Sequence, residues 1–355
     1  MDLDDVIFEP VNYEELTDDQ WVEFAQFHNE AMDIYEQGFP EKSVEAVKAQ
    51  YLGTNPQTEP LRIFAMSKDR SKFYSGGGLY WSNEKDPNYE INKHIGHVMG
   101  TVRLAYQRNK LASKTLLLLA KEAKKVGLTS IESGVFLESA KGFWEHLDGR
   151  VVDRDFTSEL RADEIDYELI ERWRNEGEDR AQGVKLEFYS RIPDELLKEF
   201  LQLHAEVHAI EATLEGKERE TRYAMSEETY HHHVKENKRI GIETITLLAR
   251  ESDGAISGFT EVYFDRKNEP GRISQSMTGV GKKYQGRGIG KWLKAEMIAH
   301  LKEIYPDMTV IITGNATVNA PMLSINRRLG FKTIHDGISY RIGVDELIEK
   351  LERFL

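Results

Sequence analysis

The pattern of apolar and polar positions in the second half of the chain spells out a run of elements. Ile245 to Arg250 (ITLLAR) is β-branched and apolar, Asp253-Gly254 supplies a hairpin turn, and Ile256 to Phe264 (ISGFTEVYF) reads as the return strand. Ile273 to Val280 (ISQSMTGV) is a third strand that runs into a glycine-rich loop. Beyond the loop, Leu293, Met297, Leu301 and Ile304 recur at helical spacing among lysines and glutamates, and Pro306 stops that helix. Thr309 to Thr313 is a short buried strand, Ala320 to Leu329 a second helix closed by Gly330, and Phe331 to Arg341 a final strand.

The first half carries a fainter copy of this order. VRLAYQRNKL, from Val102 to Leu111, leads into a leucine-rich helix over Thr115 to Val126, and Tyr106-Gln107 stands 178 positions before Tyr284-Gln285. Gly149 falls about where Gly330 falls in the second half. That offset is half the chain, so the pattern points to a tandem duplication. Between the copies, Leu160 to Gln182 is highly charged with a few periodic apolar positions and reads as a helical linker. The expected organisation is a first domain over 1–159, a linker over 160–182 and a second domain over 183–355.

Composition agrees with two domains: 355 residues, 40% hydrophobic and 30% charged, can bury a substantial core. No run of eighteen apolar residues occurs, and the first residues, MDLDDVIFEP, are acidic where a signal peptide is basic and then apolar. The expectation is a cytoplasmic protein with no membrane partner. Absence of cysteine excludes disulfides, thiolate nucleophiles and Cys-based zinc sites. An excess of 61 acidic over 47 basic residues, a formal charge of −14, argues against nucleic acid as a partner. Any anion site must be local.

One stretch has that local character. From Gly271 to Ala295 there is no Asp or Glu, while Arg272, Lys282, Lys283, Arg287, Lys291 and Lys294 are basic. Within it, Gly286, Gly288 and Gly290 lie between a strand and a helix, where bare backbone lets N–H groups converge at the positive end of the helix dipole. That is a diphosphate cradle; the competing reading is a tight strand-to-helix connection with ordinary surface lysines. A P-loop is excluded, because Gln285 stands where its first glycine belongs and Trp292 follows the lysine. The dinucleotide fingerprint is missed as well, since the glycines are spaced two and two and the preceding strands form hairpins.

Gln285-Gly286-Arg287-Gly288-Ile289-Gly290 resembles the Gln/Arg-x-x-Gly-x-Gly/Ala signature of the GNAT superfamily of N-acetyltransferases. The hairpin, the Asn-rich TGNATVNAPML and the closing Leu329-Gly330-Phe331 are similar too, so the resemblance covers Gly183 to Leu355 well and the first half more loosely. It implies an α/β (α+β) fold of two tandem GNAT-like domains, each a mixed, largely antiparallel sheet flanked by helices. It also implies acetyl-CoA as donor substrate, no metal, and direct attack on the thioester by a primary amine of a small molecule, in a monomer or homodimer.

The resemblance also assigns residues. The pantetheine arm would run along the strand edge at Thr278 and Val280, the Val280 N–H would meet the oxyanion, and the diphosphate would sit on Gln285, Gly286, Arg287, Gly288, Ile289 and Gly290, with Lys291 adding charge. Asn319 has two readings, a cofactor contact or the cap of the last helix. Glu261, among apolar neighbours in GFTEVYF, is the candidate to take the amine's proton; the plain alternative is a solvent-facing strand glutamate. His208 and Glu211, one turn apart in QLHAEVHAIEA, and Gln275 are candidates to hold the acceptor, although an ordinary amphipathic helix explains the first two. The acidic run Glu215 to Glu228 either attracts a cationic amine or is a solvated loop.

Two departures matter. Many GNAT enzymes carry a tyrosine, acid to the leaving thiolate, where this chain has Asn326. A non-catalytic acyl-CoA-binding or sensing protein is therefore the second function class, and Tyr284 and Tyr340 are the candidate replacements. In the first half Arg108 and Lys110 stand at the first two glycine positions, and this half is expected to have lost CoA binding. His231-His232-His233 diverge by about 100° each on a helix and do not converge on one ion, so they read as a solvated face.

Overall fold

The computed structural model describes residues 3–35, 40–214, 223–316 and 319–355, of which 35, 210–214 and 316 are described by backbone alone. The chain forms two compact units, one made of 1–153 with 338–355 and the other of 154–337. In chain order the first segment holds β1 (Val6–Pro10), α1 (Asp18–Tyr35), α2 (Val44–Tyr51), β2 (Thr58–Ser67), β3 (Phe73–Ser82), α3 (Tyr89–Asn92), β4 (Ile95–Val102), α4 (Leu111–Lys125), β5 (Ser130–Val135), α5 (Glu138–His146) and β6 (Arg150–Arg161). There follow α6 (Tyr167–Arg180), β7 (Lys185–Tyr189), α7 (Asp194–Leu214), α8 (Glu227–Ile240), β8 (Glu243–Arg250), β9 (Ile256–Phe264), β10 (Arg272–Val280) and α9 (Ile289–Ile304). The chain ends with β11 (Val310–Ala316), α10 (Ala320–Leu329), β12 (Lys332–Gly343) and α11 (Val344–Phe354).

Each unit has the same sheet. In the first the order is β1-β2-β3-β4-β5-β12, antiparallel except for the parallel β4–β5 step; in the second it is β7-β8-β9-β10-β11-β6, antiparallel except for β10–β11. A parallel step needs a long crossover, and α4 and α9 supply it. The mixed, largely antiparallel α/β architecture is the one expected.

The division of the chain differs from the expected one in two respects. Ile338 to Gly343 pairs with β5, and Leu347 and Leu351 of α11 enter the core of the first unit beside Leu116 and Leu119. The second unit begins earlier, because β6 pairs with β11 from Asp155 to Arg161. The last strand of each half, β6 and β12, pairs in the other unit, and a strand's own pattern does not say which neighbour it will join. The segment expected to be a linker is helical, as α6, but it is part of the second core: Ile170 and Trp173 are buried there, and a Cβ on Gly177 would stand 2.3 Å from the Trp292 ring. Its dense charge conceals a narrow apolar stripe.

The duplicated loops keep one backbone path. Gln107 and Gln285 have φ, ψ of −61°, 160° and −63°, 160°, while Lys110 and Gly288, each the N-cap of the following helix, have 60°, 10° and 84°, 2°. Arg108 and Gly286 also share a left-handed conformation, with φ of 63° and 82°. In the first unit the same shape is held by residues other than glycine, at a strain of about 1 kcal/mol per side chain. Arg108→Gly and Lys110→Gly are each expected to stabilise the protein by about 0.5 kcal/mol, net of glycine's entropy cost, measured as a rise in the urea midpoint. A fall would mean that side-chain contacts, such as Lys110 Nζ to the Leu355 carbonyl at 3.4 Å, outweigh the strain.

Candidate active site

In the second unit the sheet has two covered faces. On α9, Leu293, Met297 and Leu301 are fully buried at the spacing read from the sequence, and they pack with Val262 and Phe264 of β9. On the opposite face Leu197, Phe200, Leu203 and Val207 of α7 pack with Phe259. Side chains alternate along a strand, so Glu261 points to the side of Phe259 and of α7.

The sheet opens between β10 and β11. Their parallel pairing runs from Arg272–Val310 to Gln275–Thr313 and then ends, although β10 continues to Val280. At that point the β9–β10 register shifts between Gln275 and Thr278, a bulge in which Ser276 and Met277 stand opposite Glu261. Side chains hold the bulge: Gln275 Nε2 donates to Thr260 Oγ1 at 2.8 Å, and Thr260 and Thr278 share a hydroxyl bond at 2.7 Å. The Gly281 N–H bonds the Ser257 carbonyl at 3.0 Å, and alternate residues of an antiparallel strand face opposite ways. The N–H of Val280 therefore turns away from β9 and into the gap. Gln285 Nε2, donating to the Val280 carbonyl at 3.3 Å, ties the strand end to the loop.

Gly286 and Gly288 adopt left-handed φ of 82° and 84°, which glycine takes without strain. The first intrahelical bond of α9 runs from Trp292 N to Gly288 O at 3.1 Å. The amides of Ile289, Gly290 and Lys291 thus have no acceptor within the helix and emerge at its positive end. Arg180 of α6 donates to the Gly286 carbonyl at 3.1 Å, and Glu206 of α7 accepts from the Lys282 N–H at 2.7 Å. The stretch that is free of acids in sequence meets them in space. Arg287 pairs with Glu251 at 2.6 Å and Lys291 with Glu176, so a diphosphate would compete for both cations. The amides are the more available donors.

A cavity of about 450 Å³ joins the α7–α8 side to the gap. Glu261 lines it with 5% of its surface exposed; Oε1 accepts from Thr246 Oγ1 at 3.0 Å and Oε2 lies 3.8 Å from His204 Nε2. Burial pushes Glu261 up to about 7, against the hydrogen bond from Thr246. Burial, and then the neighbouring His208, push His204 down to about 3, so it is neutral at physiological pH, and its Nδ1 has no partner among the described residues. The rings of His204 and His208 are 5.0 Å apart, and those of His208 and Tyr223 4.7 Å. Lys294, 1% exposed, also lines the cavity; its Nζ donates to Asn326 Oδ1 at 2.7 Å, and burial pushes it down to about 7. Asn326 in turn donates to Asn315 Oδ1.

Of the residues singled out from sequence, Glu261, Thr278, Gln275 and His208 line this one cavity, and Val280 with Gln285 to Lys291 forms the strand end and loop. Asn319 caps α10, its Oδ1 accepting from the Met322 N–H at 3.2 Å. The side chain of Glu211 and residues 215–222 of the acidic run lie outside the described residues. His233, expected on a solvated face, instead lines the cavity half-buried, and burial lowers its pKa. Tyr340 belongs to the first unit, where its hydroxyl donates to Glu145 at 3.2 Å. Sequence reasoning missed His204 and Thr246, and it took Lys294 for part of a basic surface. His204 had a signal, one helical turn before His208; Lys294 had none.

The sequence model of the Acetyltransferase (GNAT) family matches residues 206–331, which contain the gap, the loop and α10. The structure matches a tandem GNAT protein from the clavulanic acid biosynthesis pathway with a TM-score of 0.73 and 16% identity, over 96% of this chain and 98% of that one. The fold is that of a tandem GNAT protein. A GCN5-related N-acetyltransferase from Sphaerobacter thermophilus matches with a TM-score of 0.62 and 13% identity, over 96% of both chains. A fungal GCN5-related glucosamine N-acetyltransferase region, part of a multi-domain β-N-acetylglucosaminidase, matches with 0.60 and 15%, over 94% of this chain and 38% of that one. No curated protein matches the sequence significantly. A GNAT acetyltransferase fold supports acyl-CoA-dependent acyl transfer in general. Among the described residues, no helix is long and apolar enough to cross a membrane.

Proposed function

We propose that the second unit transfers the acetyl group of acetyl-CoA to the primary amine of a small molecule, by direct attack on the thioester. One observation carries the reading: a buried carboxylate poised near neutrality opens on a cavity that reaches the strand gap beside the glycine loop. The amides of residues 286–291 fit the diphosphate, and the gap fits the pantetheine arm. Glu261 takes the proton of the incoming ammonium, the neutral amine attacks the carbonyl carbon, and the Val280 N–H, already aimed into the gap, donates to the oxyanion. The cavity has the size of a small-molecule site, and the rings of His208, Tyr223 and Tyr230 along it favour a cationic acceptor. The scheme uses side chains and amides and calls for no metal. Cytoplasmic residence, as a monomer or homodimer, belongs to the same reading.

Calorimetric titration with acetyl-CoA is expected to find one site per chain, because Arg108 and Lys110 place side chains where the second unit has bare backbone. Polyamines, aminoglycosides and amino acids are then screened for accelerated release of free CoA. No binding would overturn the reading, two equivalents would restore the first unit as a donor site, and binding without amine-stimulated release would move the protein to the acyl-CoA-sensing class.

A further inference from the structure

We propose that Lys294 is the proton donor to the sulfur that leaves the thioester, a role that rests on acetyl-CoA being the donor. The cavity reaches both faces of the sheet through the gap between β10 and β11. On the α7 face stand Glu261 and His204; on the α9 face stand Lys294, Asn326 and Asn315. An amine entering past Glu261 meets a thioester lying in the gap from one side, so the sulfur departs toward the other, where Lys294 is.

The surroundings of Lys294 make an unsatisfied cation there. Its ammonium is buried on a helix face, with the Asn326 carbonyl oxygen and, 5.3 Å away, the Phe331 ring as partners. Among the described residues no carboxylate lies within ion-pair reach of it. The charges of the packed elements are committed elsewhere: on α6 and α9, Arg174 with Glu296 and Glu176 with Lys291, and on α10 Arg328 over Trp173. The titratable groups facing the cavity from β9, α7 and α8 are Glu261, Tyr263, His204, His208, Tyr230 and His233, with Tyr223 beside them. A buried lysine without a counter-ion is destabilising, and a developing thiolate is the anion that would complete it. The balance of the step is complete. The amine nitrogen forms a bond to the carbonyl carbon, the tetrahedral intermediate collapses with the C–S pair passing to sulfur, and Lys294 Nζ gives that sulfur a proton. The ammonium sheds two protons in turn through Glu261 to solvent; one equivalent recharges Lys294 for the proton given to sulfur, and the other is the net proton released.

The test reads the thiol and needs no acceptor. Free CoA is bound to the full-length protein, and its thiol is titrated by thiolate absorbance and by the pH dependence of its alkylation. In the wild type the bound thiol is expected to titrate about one unit below free CoA, and in Lys294→Met to lose that shift. Lys294→Gln, which keeps a donor for Asn326 without the charge, is expected to behave as Lys294→Met does; thermal melting confirms that both are folded. A bound thiol that titrates alike in wild type and variants overturns the proposal alone. Failure of CoA to bind the wild type overturns it together with the donor reading beneath it.

Discussion

Glu261→Gln is expected to lower turnover about 100- to 10,000-fold and, at pH 8, to make the protein more stable than the wild type. The first effect follows from removing the proposed proton acceptor while leaving the shape, since the glutamine oxygen still accepts from Thr246 Oγ1. The second follows from linkage. Glu261 titrates near 7 when folded and near 4.3 when unfolded. A raised folded pKa gives stability that is complete below the unfolded value and is lost as pH rises through the folded one. Between about pH 4.5 and 7 the wild type therefore gives up about 3 kcal/mol that the glutamine variant keeps. Urea unfolding at pH 4 and pH 8 measures it: near-equal midpoints at pH 4, below the unfolded value, and a higher one for the variant at pH 8. The acidic limb of the rate profile near pH 7 should vanish with the carboxylate. Equal midpoints at both pH values would mean that the carboxylate is not desolvated, and the general-base role would fall with it.

Lys294 acts in the opposite window. Its folded pKa is depressed to about 7 against about 10.4 in the unfolded chain, so the cost of burying its charge is complete below pH 7 and is relieved as pH rises beyond. The two groups together place a minimum in stability near neutrality, where one must accept a proton and the other must give one. On the proposed roles of Glu261 and Lys294, that is the stability cost of a site that takes a proton on one side and gives one on the other.

How much of this was legible in the sequence depends on the range of the interaction involved. The strand running into three alternate glycines and the helix beyond are local patterns, and β9 and α10 fall where periodicity and caps put them. Glu261 announced itself as a lone charge inside an apolar strand. What failed was whatever depends on partners distant in the chain. Arg287 and Lys291 looked like free cations because Glu251 and Glu176 are far off in sequence, and α6 looked like a linker because its stripe is only Ile170, Trp173 and Gly177 wide. The final strand was assigned to the second domain because nothing in Ile338 to Gly343 records that β5 is its neighbour. Lys294 could not be read at all: a lysine beside Leu293 on an amphipathic helix gives no sign that its ammonium is buried against Asn326.

Gly288→Asp is expected to reduce acetyl-CoA affinity about 100-fold or more while the fold survives. The fold survives because the chain tolerates a side chain there: Lys110 holds the matching N-cap of α4 at φ 60°, and aspartate tolerates the left-handed region. There is also room, because the nearest atoms to a Cβ at Gly288 would be those of the Arg180 guanidinium, at 3.7 Å. The new carboxylate would stand at the positive end of α9, beside the amides of Ile289 and Gly290 that are available for the diphosphate, and would occupy their field with a charge of the same sign as the ligand. Gly288→Asn separates the two contributions, with nearly the same shape and no charge; its loss is expected to be smaller, and the difference from aspartate to shrink as salt is raised. If Gly288→Asp binds acetyl-CoA within about threefold of the wild type, a shift of under 1 kcal/mol, the diphosphate does not sit on this loop. The glycines would then serve only to turn β10 into α9, as Arg108 and Lys110 show that other residues also can.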